Sequence, residues 1–242
     1  MIYSKELTAR SPLRVFERSI HGGLGRGNLG VVFSRAGVGK TAFLVGVALD
    51  ELLQGRKVLH LSIGDSVDHV RSFYDEVFNE LAGSTELTDR TAAHLRVERN
   101  RYIHTFRGDS FEIAKIRGNL DFIREHQQFE PVMIVIDGYD GFDTLAADPL
   151  TLERELAELR EIAREIGAEM WVSARSHRED RELDGRGVPA IIARVEDAVA
   201  VLVGLEPMAD HVRLRLHKDH ENPDVAELQI ELDPTSLLLR WS

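Results

Sequence analysis

The 242-residue chain contains no cysteine, which excludes disulfides and thiolate metal ligands and fits a reducing compartment. It also lacks any stretch approaching the roughly 18 consecutive apolar residues that a membrane span needs. The polar segment Met1 to Arg18 has no apolar core of the signal-peptide kind. A cytoplasmic protein with no membrane contact is the expectation. Basic charge is in short supply: 30 Lys plus Arg stand against 41 Asp plus Glu, a net charge of −11. That balance argues against a surface built mainly for nucleic acid and leaves proteins and small ligands as the expected partners. Repeats, low-complexity segments and breaks in composition are missing too. One α/β domain over residues 1–242 is therefore expected, with 1–17 as an amino-terminal extension.

What is present begins with the apolar run Leu29 to Phe33, read as a strand, followed by Ser34-Arg35-Ala36-Gly37-Val38-Gly39-Lys40-Thr41 and the almost wholly apolar helix Ala42 to Leu53. This is a phosphate-binding loop with serine in place of its first glycine. Two close glycines let backbone N–H groups curl around phosphate oxygens, Lys40 supplies a positive charge, and the Thr41 hydroxyl can ligate Mg²⁺. The following helix adds its positive amino-terminal end. Residues 34 to 41 are thus expected to bind a nucleoside triphosphate. The Ser34 Cβ is tolerable there if the backbone keeps φ negative.

The pattern after the loop alternates. Val58 to Ile63 predicts a strand, and Val70, Tyr74, Val77 and Leu81 predict a helix capped by Ser66 or Asp65. A helix over Thr88 to Glu98, a short strand over Tyr102 to Phe106 and an amphipathic helix through Ile113, Ile116, Leu120 and Ile123 come next. Val132 to Asp137 is an uninterrupted apolar run ending in a carboxylate, as a parallel strand buried on both faces requires. Pro149 to Ile166 predicts a helix stopped by Gly167, and Glu169 to Ala174 a strand. The polar stretch Arg175 to Gly187 reads as a loop, and Ile191 to Val195 as a short segment. Strands follow over Ala198 to Leu205, His211 to His217, Ala226 to Leu232 and Leu237 to Trp241, separated by turn residues. The fold expected is a mostly parallel sheet with helices on both faces and a carboxy-terminal antiparallel extension.

Asp137 ends its strand at the edge where doubly wound sheets place ligands, so it can orient Mg²⁺ opposite Thr41. With these motifs in place, the chain from about Pro12 to Trp241 resembles the RecA/KaiC-like ATPases, the superfamily that includes the motor domains of DnaB-type replicative helicases. The likeness is carried by the glycine-rich lead His21 to Leu29, by Ser34 to Thr41 as Walker A, and by Ile134 to Asp137 as Walker B. It extends to Ala174 to Arg178 at the sensor strand, to Val195 to Val199 before the late strand, and to Lys218-Asp219-His220 at the place of a Lys-x-Arg pair. The resemblance implies a RecA-like fold, ATP rather than GTP as ligand with Mg²⁺, and a homo-oligomer whose sites lie between subunits. Lys218 is then the residue placed to act on a neighbouring subunit's nucleotide, with Arg194 a second such position.

The departures concern catalysis. Where the family has a glutamate base after its second strand, this chain has Gly64, with Asp65 next to it as the substitute. Gly138 follows Asp137, so a base after Walker B is missing as well, which leaves Asp140 and Asp143 as alternatives. His220 stands where the family has an arginine, and a neutral imidazole stabilises developing charge far less than a guanidinium. Arg175, Arg178, Arg181 and Arg186 are offset by Glu179, Asp180, Glu182 and Asp184, with no aromatic side chain to stack on bases. His211, His217 and His220 read as strand or turn residues. Three functions are expected in this order: a slow or regulatory ATPase whose nucleotide state controls protein association, a non-hydrolysing nucleotide-binding scaffold, and a DNA-dependent accessory ATPase.

Overall fold

The computed structural model describes residues 12–85, 87, 89–107, 110–142, 148–176 and 183–242. In chain order its elements are α1 (Pro12–Ser19), β1 (Leu29–Ser34), α2 (Lys40–Leu53), β2 (Val58–Ile63), α3 (Val67–Ser84), α4 (Arg90–Asn100) and β3 (Arg101–Phe106). Then come α5 (Ile113–Gln127), β4 (Met133–Asp137), α6 (Pro149–Ile166), β5 (Glu169–Arg175), α7 (Ala190–Arg194) and a 3₁₀ turn at Glu196–Ala198. β6 (Val201–Pro207), β7 (Val212–Asp219), β8 (Ile230–Leu232) and β9 (Leu239–Trp241) complete the chain.

All these strands form one sheet in the order β3-β2-β4-β5-β1-β6-β7-β8-β9. The first six positions pair in parallel and the last three strands add antiparallel. The fold is therefore α/β, a mostly parallel sheet with an antiparallel carboxy-terminal extension. Because β1, β2 and β4 are buried along their whole length, each reads as a continuous apolar run rather than as an alternation. Alternate residues feed two cores. Val32, Val135 and Trp171 face α1 to α4, while Val31, Ile134 and Val172 face α5 to α7. Trp171 pins the first layer, its ring centroid 5.6 Å from Phe43 of α2 and 6.0 Å from Phe16 of α1. Phe16 and Ile20 are each only 1% exposed, so both lie in this core. Residues 1–11 lie outside the described residues.

Local chemistry sets the helix ends. Ser66 caps α3 by accepting from the His69 N–H at 3.2 Å, which settles the choice between Ser66 and Asp65. Asp89 caps α4 through the Ala92 N–H, so that helix starts at Arg90 rather than at Thr88, and it runs on to Asn100 rather than ending at Glu98. Gly167 closes α6 in the left-handed region with φ 65°, as its sequence position predicts. The antiparallel end departs most from its pattern. Ala226 to Leu232 narrows to Ile230–Leu232 and Leu237 to Trp241 to Leu239–Trp241, while the segment expected over Ile191 to Val195 falls on the helix α7, Ala190–Arg194, and its cap. Among the described residues, no helix is long and apolar enough to cross a membrane.

A knot of carboxylates fixes α1 to the end of α2. Arg14 reaches Glu17 at 2.6 Å and Asp50 at 3.2 Å, Arg56 pairs with Glu51, and Glu169 accepts from the Gly25 N–H at 3.1 Å. Burial pushes Asp50 up to about 7, with Arg14 opposing and Glu17 and Glu51 adding to the rise; burial likewise pushes Glu169 up to about 7, with Glu51 adding. Both carboxyls hold a proton in the folded chain over a range where the unfolded chain has released it. Their effect is thus a stability that is greatest below the unfolded values and is lost as pH rises through about 7. Thermal unfolding followed by circular dichroism is expected to show Tm falling by about 5 °C between about pH 6 and pH 8. Asp50→Asn is expected to flatten that slope, and an unchanged slope would contradict the assignment.

Candidate functional site

The carboxyl ends of β1, β2, β4 and β5 lie side by side, because parallel pairing brings Ser34 level with Arg175 and Ser62 level with Asp137. β1 runs straight into the loop 34–39, and Lys40 opens α2. Ser34 keeps its backbone out of the left-handed region, so its Cβ is accommodated as the sequence requires. Gly37 and Gly39 supply the positive φ values, 75° and 122°. Gly39 has a second constraint. A Cβ there would meet Leu232 Cδ2 at 2.4 Å, so the loop rests directly on β8.

Lys40 lies inside the loop it follows. Its Nζ donates to the Ser34 carbonyl at 3.0 Å and the Arg35 carbonyl at 3.0 Å, with Ser34 Oγ at 3.4 Å. Burial pushes the Lys40 ammonium down to about 8, Asp137 pulls it back up, and the positive charge of Arg175 adds to the fall. Thr41, one residue into α2, donates from Oγ1 to Asp137 Oδ2 at 2.6 Å. Two motifs 96 residues apart in sequence thus meet in one hydrogen bond. A hydroxyl and a carboxylate side by side, with a lysine alongside, form an oxygen donor set suited to a small hard cation. Positive-φ loop residues that open the backbone N–H groups, above a helix amino terminus, suit a chain of phosphates.

The residues expected to take part in hydrolysis are placed differently. Asp65 stands just past the end of β2 with its side chain 49% exposed, and its Oδ1 lies 3.9 Å from His69 Nε2. Gly64 sits at φ 94° with nothing within 4 Å of where a Cβ would be. Gly138 is the opposite case. At φ 82°, a Cβ there would lie 2.4 Å from the Ile63 carbonyl oxygen, so β4 leaves the sheet too close to β2 for any side chain directly after Asp137. Its N–H donates to Ser173 Oγ at 2.8 Å, which fixes that exit. Asp140 is exposed; Asp143, Arg178 and Arg181 fall outside the described residues.

Lys218 and His220 lie at the other end of the sheet from the loop. Leu202 pairs with Lys218 and Val201 with Asp219, while Val201 itself pairs with Gly30 near the start of β1. Lys218 Nζ donates to the Glu196 carbonyl at 2.7 Å. His220 Nδ1 lies 2.9 Å from Asp219 Oδ1 and its Nε2 3.1 Å from the Leu24 carbonyl, and His21 Nδ1 reaches the same buried carboxylate at 2.5 Å. Asp219 is thereby held below the usual carboxylate range despite its burial. His220 is a turn residue, as expected, and it also ties the glycine-rich lead to the end of β7. His217 is a buried strand residue against Phe33, as the pattern predicts. Arg186 is engaged by Asp184 at 2.7 Å and Glu196 at 2.6 Å, in keeping with a charge-balanced segment. Arg194, the last residue of α7, is exposed.

No protein-family model matches the chain, and no curated protein matches its sequence.

Two features escaped the sequence. Leu232 beneath Gly39 carries no local mark, since strands of any sheet are rich in leucine. The Asp219 bridge between His21 and His220 joins residues about 200 positions apart, and only the two flanking glycines after His21 hint that its backbone is unusual.

Proposed function

We propose that this chain is a RecA/KaiC-like protein that binds MgATP and uses nucleotide binding, with slow turnover at most, to switch its association with another protein. The observation that carries the reading is the 2.6 Å bond between Thr41 and Asp137, which joins a phosphate loop to a strand-terminal carboxylate as the two halves of a magnesium site. Lys40 would hold the β and γ phosphates, the N–H groups of Gly37 to Lys40 the phosphate oxygens, and Thr41 with Asp137 the cation. Bound Mg²⁺ would bridge and neutralise phosphate charge. Lys40 would exchange the carbonyls of Ser34 and Arg35 for phosphate oxygens.

Binding outweighs turnover in this reading because two positions for a base are glycine, and the one at 138 has no room for anything larger. Asp65, just past the end of β2, remains as the acidic group for orienting water, with a shorter reach than glutamate. A scaffold that binds without hydrolysis is the second reading, and the Ile63 contact at Gly138 favours it. A cytoplasmic homo-oligomer with a protein partner completes the proposal.

Nucleotide titration and phosphate release on the same preparation separate the readings. The slow-ATPase form expects saturable MgATP binding and phosphate release above a Lys40→Ala control, reduced to that control by Asp65→Ala. Binding with release no higher than the control would remove the enzyme and leave the scaffold. An absence of binding would remove both.

A further inference from the structure

A cleft of about 430 Å³ opens between α3 and α4, lined by Phe78, Asn79, Arg90, Thr91, His94 and Leu95. Three metal-ligating side chains converge where the same two helices face each other: Asp75 from α3, and His94 and Glu98 from α4. His94 and Glu98 stand four residues apart and therefore share one face of their helix. One donor atom from each of the three lies within 4.8 Å of the other two, and His94 Nε2 is 3.0 Å from Asp75 Oδ1. The side chains of Asp75, His94 and Glu98 are 39%, 40% and 34% exposed, so an ion can reach them from solvent.

Two of the ligands are also held from behind. The His94 ring lies 5.2 Å from that of Phe78. Glu98 accepts at Oε1 from Arg101, whose side chain is 3% exposed and whose guanidinium lies 4.6 Å over the Tyr74 ring. A carboxylate accepts at both oxygens, so the Arg101 bond leaves Oε2 for a cation. Outer partners of this kind orient metal ligands. One imidazole beside two carboxylates favours Zn²⁺ over Mg²⁺ and Ca²⁺, which take oxygen ligands. Ligand atoms around a tetrahedral Zn²⁺ sit about 3.4 Å apart, so closing the set from 4.8 Å asks for at most about 1.4 Å of side-chain movement.

We infer that Asp75, His94 and Glu98 bind one Zn²⁺, with solvent in the fourth position, and that the ion braces α3 against α4. None of the three belongs to the nucleotide site proposed above, so the two readings stand or fall separately.

The test is a calorimetric titration of zinc chloride into the full chain, stripped with EDTA and free of any affinity tag. One Zn²⁺ per chain is expected, with Kd of about 10 μM or tighter. His94→Ala is expected to weaken binding about thirtyfold or more, and Asp75→Asn and Glu98→Gln about tenfold each. His126→Ala, on the exposed side of α5, and Asp137→Asn are expected to leave it unchanged, and Mg²⁺ is not expected to compete. At a hundredfold excess of Zn²⁺ over Kd, Tm is expected to rise by about 5 °C. In metal-free buffer the variants are expected to melt within about 3 °C of wild type, which reports that each is folded. The inference is overturned if the chain binds no Zn²⁺, if His94→Ala and Asp75→Asn keep the wild-type affinity, if Asp137→Asn abolishes binding, or if binding leaves Tm unchanged.

Discussion

Lys40→Ala is expected to lower MgATP affinity by about a hundredfold or more, the largest effect of any single substitution at the site. The side chain is already gathered into the loop by the carbonyls of Ser34 and Arg35, so the cost of ordering it is met before ligand arrives. It is also partly desolvated, which is why its ammonium sits at about 8, and a cation in that setting gains more from a phosphate than one in open water. Removing it leaves Arg175 and the start of α2 as the positive elements. The same substitution is expected to leave the fold intact, because Lys40 bonds to loop carbonyls that can turn to solvent. Equilibrium titration with a fluorescent ATP analogue, alongside a thermal melt, checks both halves. Retained affinity in Lys40→Ala would mean that the loop binds something other than the phosphate chain.

Gly138→Ala is expected to destabilise the protein by about 3–5 kcal/mol, from a residue forced to positive φ and a methyl group driven into backbone. The carbon would sit 2.4 Å from the Ile63 carbonyl, and neither partner is a side chain that can swing away. β2 and β4 must part at their ends, which moves Asp137 off Thr41. The melting temperature is therefore expected to fall by about 10 °C, with loss of the Mg²⁺ dependence of nucleotide affinity. Gly64→Ala provides the contrast. Its backbone also has positive φ, but nothing lies within 4 Å of the new methyl, so only the conformational cost of about 1 kcal/mol applies. Equal costs at the two positions, measured by urea unfolding, would contradict the packing account.

The ease with which these elements are read from sequence follows their physics. β1 and β4 are legible because strands buried on both faces must be apolar throughout, and α3 and α6 because their caps are single residues acting locally. Loop and carboxylate are legible together because the phosphate chemistry proposed for them restricts which residues serve. The extension from β6 onward is less so. Ala226, Leu228 and Ile230 keep a strand's alternation, yet pairing with β7 covers only Val212 and Arg213, since alternation reports burial and not which backbone lies alongside. His220 shows the same limit at the site. Its sequence position suggests a group for a neighbouring subunit, whereas Asp219 and the Leu24 carbonyl hold its ring within its own chain.

Calorimetric titration of ATP into the full chain, with and without Mg²⁺ and beside Asp137→Asn, tests the joining of Thr41 and Asp137 into one cation-assisted nucleotide site most directly. The account expects one nucleotide per chain, an affinity raised about tenfold or more by Mg²⁺, and loss of that gain in Asp137→Asn. Binding that ignores both the metal and the substitution, or no binding at all, would contradict it.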